Sequence, residues 1–519
     1  MPSDRPALTS HFNRRTFLKS ALMAGTAMAL PSAGFASSPS KSKRQNVLFI
    51  PIDDLRPQLG CYGAKYMHTP NIDMIAESGS VFERAYCQQA VCSPSRTSLM
   101  TGLRPDNTGV YDLHTHFRKN IPDAVTIPEY FKQQGYYTQA IGKIFHGPLD
   151  DPQSWSVPWN RGGTRTPGLP DLPNEYNYYS EEGIKAVRDR REEYKRTGKK
   201  SSLPGFIFGL PYDCADVPDE IMGDGCVATA GVNALAKRAE AGNPFFLAVG
   251  FRKPHLPFCA PKKYWDMYPE DEIDLDDNPF RPKGAPDIAL HEWGELRAYY
   301  GVPATGPLSD DLARKLIRGY YACVSYIDAQ VGRLIQALKD NGQWDNTIIA
   351  LWGDHGFHLG DHGLWCKHTN FETAVHAPLI FRDPRSTGGQ RSSGLCEFVD
   401  IFPTLCDLAD LPIPTNLQGM SLAEAVAQSR SEIKEAAFSQ YPRPGNIMGY
   451  SMRTDRYRYT TWQELGNGAQ VADELYDEFD DPVEMNNVAP EDKAEVARLA
   501  ELMNRMSPEV FSKRKIPAA

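Results

Sequence analysis

Five short stretches of this 519-residue chain carry residue types that could do chemistry together. The first is Cys92-Ser93-Pro94-Ser95-Arg96, running on to Thr101-Gly102. It follows the apolar run Ala85 to Val91, and Pro94 and Gly102 bracket a segment of helical character. The pattern predicts a strand or loop end that delivers Cys92 to a helix start, where free backbone N–H groups and the helix dipole favour an anion. Arg96 lies four residues on and would face back toward Cys92. The second stretch is Asp53-Asp54, directly after an apolar run. Adjacent carboxylates repel unless a cation lies between them, and their oxygens suit a hard divalent ion. The third is Gly142-Lys143-Ile144-Phe145-His146, a cation and a titratable ring three residues apart, suited to gripping an anion and moving a proton. The fourth is Gly353-Asp354-His355-Gly356, with Lys367 about one loop later. The fifth is His255, held in an extended loop between Pro254 and Pro257. Taken singly, each has an ordinary explanation: a core cysteine, a helix cap beside a surface acid, an exposed lysine, a loop histidine.

The elements that must position these residues are legible around them. Asn46 to Ile52 is nearly all apolar and rich in β-branched residues, the pattern of a strand buried on both faces. Tyr136 to Gly142, Pro244 to Val249 and Asn346 to Trp352 read the same way. The chemical residues stand where these strands end, the edge at which open α/β sheets place their ligands. Asp53, Asp54 and Asp354 would then share one edge, which is hard to explain without a cation. Helices are expected over Ile72 to Gly79, Ile127 to Gly135, Thr229 to Ala241 and Asp310 to Lys339. Residues 148–215 are rich in Pro, Gly, Tyr and charge and read as a surface excursion that shapes a substrate pocket, with an exposed helix over Glu181 to Lys200. Past Arg430 the chain turns to aromatic and basic strands, Ala436 to Tyr441 and Tyr450 to Trp462, and then to a helix near Asp492 to Met506. The expected fold is α/β: one large mixed sheet flanked by helices over 45–432, and a smaller C-terminal subdomain over 433–519 built as an antiparallel sheet plus a helix.

Composition narrows the class. The hydrophobic share of 41% and charged share of 23% are those of an ordinary globular protein. A net charge of -9 with no basic run argues against nucleic acid as a partner, yet leaves room for a locally positive pocket. Ten cysteines are too few for a disulfide scaffold and show no zinc spacing. Cys214/Cys226 and Cys396/Cys406 are near enough in sequence to bridge, which sequence cannot decide. At the N-terminus, Asn13-Arg14-Arg15-Thr16-Phe17-Leu18-Lys19 precedes an apolar run from Ala21 to Leu30 and small residues up to Ala36. The run is too short to span a membrane. Residues 1–36 resemble a twin-arginine (Tat) signal peptide. That resemblance implies the Tat export machinery as a partner and a periplasmic or secreted destination.

The pattern Cys-x-Pro-Ser-Arg-x-x-x-x-Thr-Gly, complete at residues 92–102, resembles the signature of the type I sulfatases. Matching elements run from Asn46 to about Asn487. Several segments, among them Val47 to Gly63, Gln88 to Arg104, Phe246 to Phe258 and Asp354 to Ile380, are most similar to the iduronate-2-sulfatase type, in which His355 stands where most sulfatases have Asn. The resemblance implies an alkaline-phosphatase-like fold, and a Cys92 oxidised to formylglycine by a formylglycine-generating or other maturation enzyme. It implies Ca²⁺ held by Asp53, Asp54, Asp354, His355 and residue 92. It implies Arg96 orienting the aldehyde hydrate, with Lys143, His146, His255 and Lys367 binding sulfate and assisting proton movement. The implied substrate is a sulfated saccharide such as a 2-O-sulfated uronate. Two alternatives stay open at this level: a phosphoester or phosphonate hydrolase of the same superfamily, and a sulfated-glycan binding protein with a dead site.

Overall fold

The computed structural model describes residues 44–200, 206–275 and 278–510. The twin-arginine segment lies outside them. A seven-stranded sheet forms the centre. Its strands are β1 (Asn46–Ile52), β2 (Ser80–Tyr86), β3 (Tyr137–Gly142), β4 (Phe245–Gly250), β5 (Thr347–Gly353), β6 (Leu379–Arg382) and β7 (Gln390–Glu397). Their spatial order is β7-β2-β6-β5-β1-β4-β3. All pairings are parallel except the two made by β6, so the C-terminal ends of β1 to β5 fall on one edge.

The continuous apolar runs follow from burial on both faces. Leu48, Ile50 and Ile52 enter one core with Leu247, Val249, Ile349 and Leu351. Val47 and Phe49 enter the other with Phe246, Ala248, Ile348, Ala350 and Trp352. Fully burying one such side chain is worth about 1.5–3 kcal/mol. The 31-residue helix Asp310–Asp340 covers the first face through Leu316, Tyr320, Ile327, Val331 and Leu334. On the second face helix α1 (Cys92–Thr101) packs with Leu99 and Met100, and a helix over Ile401–Leu408 with Phe402 and Leu405.

Strand register decides where the chemistry sits. β1 pairs with β5 from Asn46↔Thr347 to Ile52↔Gly353, so Asp53 and Asp354 leave the sheet side by side. Gly142 and Gly250 pair at the ends of β3 and β4. Gly142 has φ +76°, and a Cβ there would lie 2.0 Å from the Gly250 oxygen. Glycine is thus required for these two strand ends to close up beside Lys143.

The C-terminal region is a four-stranded antiparallel meander of β8 (Ala437–Arg443), β9 (Ile447–Arg453), β10 (Tyr457–Glu464) and β11 (Gln470–Asp477), with a helix over Lys493–Val510. Phe438, Met452, Tyr459 and Leu475 pack with the helix residues Leu499, Leu502 and Met503. Its first strand docks on the loop leading to Cys92: the Gln440 N–H donates to Gln88 O at 2.8 Å, and Ser439 Oγ donates to Cys87 O at 2.6 Å. Beneath this seam lies a buried ion cluster. Arg104 grips Glu397 bidentately at 2.6 and 2.8 Å, and Lys434 Nζ reaches Glu397 at 2.7 Å and Asp400 at 2.6 Å.

The exposed helix of the surface excursion spans Glu181–Thr197 and buries only Gly183, Ile184, Ala186 and Val187. The helix expected from Thr229 begins earlier, at Gly223. All ten cysteines are free, so neither candidate bridge forms. Among the described residues no helix is long and apolar enough to cross a membrane.

Candidate active site

Asp53 and Asp54 end β1, and Asp54 takes a left-handed backbone with φ 58°. Asp tolerates that conformation better than most residues. The turn is pinned by the Asp54 N–H, which donates to Asp354 Oδ1 at 2.9 Å, and by Tyr320 Oη, which donates to Asp54 O at 2.8 Å. Helix α1 brings Cys92 to the same place. Ser95 Oγ ties the helix to the Asp354 carbonyl, and Gly102, left-handed at φ 67°, caps its C-terminus.

Arg96 is fully buried and binds four groups. Its Nε donates to Asp354 Oδ2 at 2.8 Å and its Nη2 to Asp53 Oδ1 at 3.2 Å. Its Nη1 donates to the carbonyls of Lys143 and Ile144, both at 2.9 Å. This fixes two carboxylates and the β3 loop at once. Lys143 Nζ pairs with Asp53. Lys367 Nζ reaches both oxygens of Asp54, at 3.1 and 2.9 Å, and Glu295 at 3.0 Å. His255 Nδ1 donates to Leu256 O at 2.7 Å, and its Nε2 faces Glu295 at 3.2 Å and Asp54 at 4.0 Å.

Electrostatics divide these groups. Burial opposes the charge of Asp53, yet Lys143 and Arg96 hold its carboxyl well below the usual carboxylate range. Burial pushes Asp54 well up, with Asp53, Glu295 and Asp354 adding to it and Lys367 opposing. Lys367 stays charged: burial works against its ammonium, and Asp54 and Glu295 outweigh it. Burial, then Lys367, pushes the His255 ring well down. Burial, then the charge of Asp53, pushes the Cys92 thiol well above its ordinary range.

The donor set fits a divalent cation. Asp53, Asp54, Cys92 and His255, and again Cys92, Asp354 and His355, each place ligand atoms within 4.8 Å of one another. His355 Nδ1 donates to Gly356 O at 2.9 Å, which leaves Nε2 a lone pair. That lone pair faces Asp54 Oδ1 at 3.4 Å, Cys92 Sγ at 3.5 Å and Asp354 Oδ1 at 3.6 Å. A thiol proton on Cys92 can meet one of these contacts, and a cation between the donors would satisfy all of them.

Ten of the sequence-predicted positions meet here: Asp53, Asp54, Cys92, Arg96, Lys143, His146, His255, Asp354, His355 and Lys367. His146 stands apart in its bonding. Its buried Nδ1 has no hydrogen-bond partner, and burial and Lys143 push its ring down to about 3. Sequence reasoning missed Glu295, from a one-turn helix over Gly294–Arg297, which joins Lys367 to His255. The preceding Trp293 is left-handed at φ 50°, an irregularity that no pattern in the sequence announces.

A buried acidic cage, two lysines and a fixed arginine at a sheet's C-terminal edge define a hydrolase of anionic esters. Comparison with known proteins narrows the class. Residues 45–411 match the Sulfatase family profile, and residues 360–510 match the profile described as N-sulphoglucosamine sulphohydrolase, C-terminal. Iduronate 2-sulfatase of Homo sapiens is 36% identical over 522 residues, covering 85% of this chain and 90% of that one. A sulfatase of Formosa agariphila is 30% identical over 466 residues, covering 86% and 83%. A structure solved with its substrate D-glucosamine-2-N,6-O-disulfate shares the fold with a TM-score of 0.69 at 22% identity, covering 92% of this chain and 100% of that one. The chain belongs to the sulfatase family and is a sulfuric-ester hydrolase.

Proposed function

We propose that the protein hydrolyses sulfate esters on a sulfated sugar, with a 2-O-sulfated uronate such as iduronate, or a related polysaccharide unit, as the favoured substrate. Cys92 acts after conversion to formylglycine, and Ca²⁺ is held by Asp53, Asp54, Asp354, His355 and residue 92. The similarity to iduronate 2-sulfatase supports the substrate. The observation that carries the reading is the seat of Cys92: its side chain heads a buried helix and points into the acidic cage, 3.5 Å from His355 Nε2. Its Sγ stands in for an oxygen of the hydrated aldehyde.

When present, the cation supplies positive charge against the sulfuryl oxygens, and the hydrated aldehyde supplies the attacking hydroxyl. The chain's own residues do the rest. Arg96 fixes Asp53 and Asp354 and lends a full charge that cannot be lost. Lys143 and Lys367 are the cations that a sulfate can draw away from Asp53 and Asp54. Lys367, which keeps its charge, can deliver a proton to the leaving sugar oxygen; His255, part-exposed and held through Nδ1, turns Nε2 toward the pocket and can do so only after Nε2 has taken up a proton. His146 has a free buried nitrogen with which to take a proton.

The twin-arginine pattern supports Tat export to the periplasm or beyond, and the Cys92 signature supports a formylglycine-generating or other maturation enzyme as a partner. The chain divides into a catalytic region, 45–432, and a C-terminal subdomain, 433–519.

Mass spectrometry of the Cys92 peptide tests the modification: a loss of about 18 Da is expected on converting thiol to aldehyde. Turnover of aryl sulfate beside aryl phosphate and phosphonate tests the reaction. An unmodified Cys92 in active enzyme, or faster phosphonate than sulfate hydrolysis, would sink the proposal.

A further inference from the structure

Arg443, at the end of β8, is a cation that no carboxylate among the described residues pairs with. Its Nε donates to Ile288 O at 2.7 Å, its Nη2 to Ala289 O at 3.0 Å, and its Nη1 approaches Pro442 O at 3.4 Å. A guanidinium carries five N–H groups, so one N–H on each Nη remains unengaged. Burial pushes the guanidinium below its ordinary range, with Tyr441 and Glu474 working the other way. Glu474 is committed elsewhere. It accepts from Trp462 Nε1 and Tyr476 Oη, both at 2.8 Å, and burial pushes its carboxyl up to about 7. A mostly buried cation that faces only carbonyl oxygens and rings has given up water without gaining a counter-charge.

The sheet is built to present this cation. Tyr441 and Arg443 are two residues apart on β8 and share a face. The Tyr441 ring lies 4.7 Å from the guanidinium carbon and the Trp462 ring 5.3 Å. Trp462 fits there because Gly449 stands between it and Tyr441 in the ladder. A Cβ on Gly449 would come within 2.6 Å of the indole. The rings hold the guanidinium plane but bring no net negative charge.

Contacts run from Arg443 to the sulfate-handling residues. Lys367 Nζ is 3.0 Å from Glu295, and Glu295 is 4.0 Å from His368 Nε2. The His368 ring is 5.9 Å from Tyr441 and 5.6 Å from His291. Resting on the sulfated-sugar reading, we propose that Arg443, flanked by Tyr441, His368 and His291, forms a subsite for a second anionic group on the substrate, beside the sulfate that is cleaved. The carboxylate of a uronate and a second sulfate ester both have this chemistry. The free N–H on each Nη suits a bidentate grip on either.

The test compares kcat/KM of the matured enzyme on matched substrates. One pair is a 2-O-sulfated uronate disaccharide and its methyl ester, in which the carboxylate is neutral. The other is a neutral sugar carrying one sulfate or two. The wild type is expected to prefer the charged member of one pair by about 10- to 100-fold, mainly through KM. In R443Q that preference shrinks by about 10-fold or more, whatever happens to the common rate, and R443K restores part of it. A preference within the first pair assigns the carboxylate; within the second, the second sulfate. No preference in either pair, or one that survives R443Q, overturns the subsite. If R443Q does not fold, an R443K preference equal to that of the wild type overturns it instead. An enzyme that cleaves aryl sulfate but none of these sugars removes the substrate reading, and the subsite with it.

Discussion

Two buried charge clusters lie near α1, and they are wired differently. Behind the seam with the C-terminal sheet, Arg104 meets Glu397 bidentately, and Lys434 spans Glu397 and Asp400. Backbone donors finish the set: Phe438 N–H to Glu397 at 2.9 Å, and Glu397 N–H and Met420 N–H to Asp400, both at 2.8 Å. At the sheet edge the carboxylates Asp53 and Asp54 are met chiefly by lysines, and three ligand-capable atoms face the His355 lone pair. In the first cluster each carboxylate is met by fixed cations and backbone donors, and among its polar atoms the buried Arg104 Nε lacks a partner. On the reading proposed above, the second is held together by groups that a sulfate and a cation would redirect. Burial alone therefore does not mark a functional charge; the kind of partner does.

The contrast can be broken or sharpened by measurement, beginning with the largest effect. Cys92→Ala is expected to cost at least about 10⁴-fold in aryl sulfate turnover while leaving the thermal midpoint nearly unchanged. Substantial activity in that variant would refute the role of residue 92. Lys367→Ala is expected to lower kcat/KM by about 10²–10³-fold, by loss of a charge that opposes the sulfate. Lys434→Ala should instead leave turnover of the folded enzyme near wild type. Arg104→Ala is expected to destabilise by about 3–5 kcal/mol, because it strips Glu397 of its main partner. Denaturant melts with activity assays decide; a stability loss shared equally by Lys367→Ala and Arg104→Ala would erase the distinction. Calcium is expected to raise the thermal midpoint of the native protein, by about 2.7 kcal/mol of stability at a hundred times its Kd, and the rise should disappear in Asp354→Ala. Acid makes the smallest difference. Burial opposes the charge of Glu397, but Arg104 and Lys434 hold it down to about 2 in the fold. A depressed carboxylate contributes its stability fully above its unfolded value of about 4.3 and loses it as pH falls toward 2. Melts between pH 5 and pH 2 should show that loss reduced in Arg104→Ala.

Much of this arrangement could be read in advance. The strands of the central sheet were legible because burial on both faces leaves an unbroken apolar run, as in β1 and β5. The acids and cations were legible because they stand where those runs stop. What the sequence hid has no local signature. Glu295 is one of many surface-like acids in a polar stretch, and only the fold sets it between Lys367 and His255. Arg443 reads like any basic residue on an aromatic strand until Gly449 and Trp462 are seen beneath it.

Every residue of α1 from Cys92 to Thr101 is shut away from solvent, and the loop before it is clasped by β8. In the closed fold these residues are out of reach of a second protein. On the reading proposed above, that sulfur would have to be oxidised before the fold closes over it. On that reading the share of active molecules would depend on how long the segment stays accessible. A mutation that speeds docking of the C-terminal meander would yield a sturdier protein with a lower yield of competent enzyme.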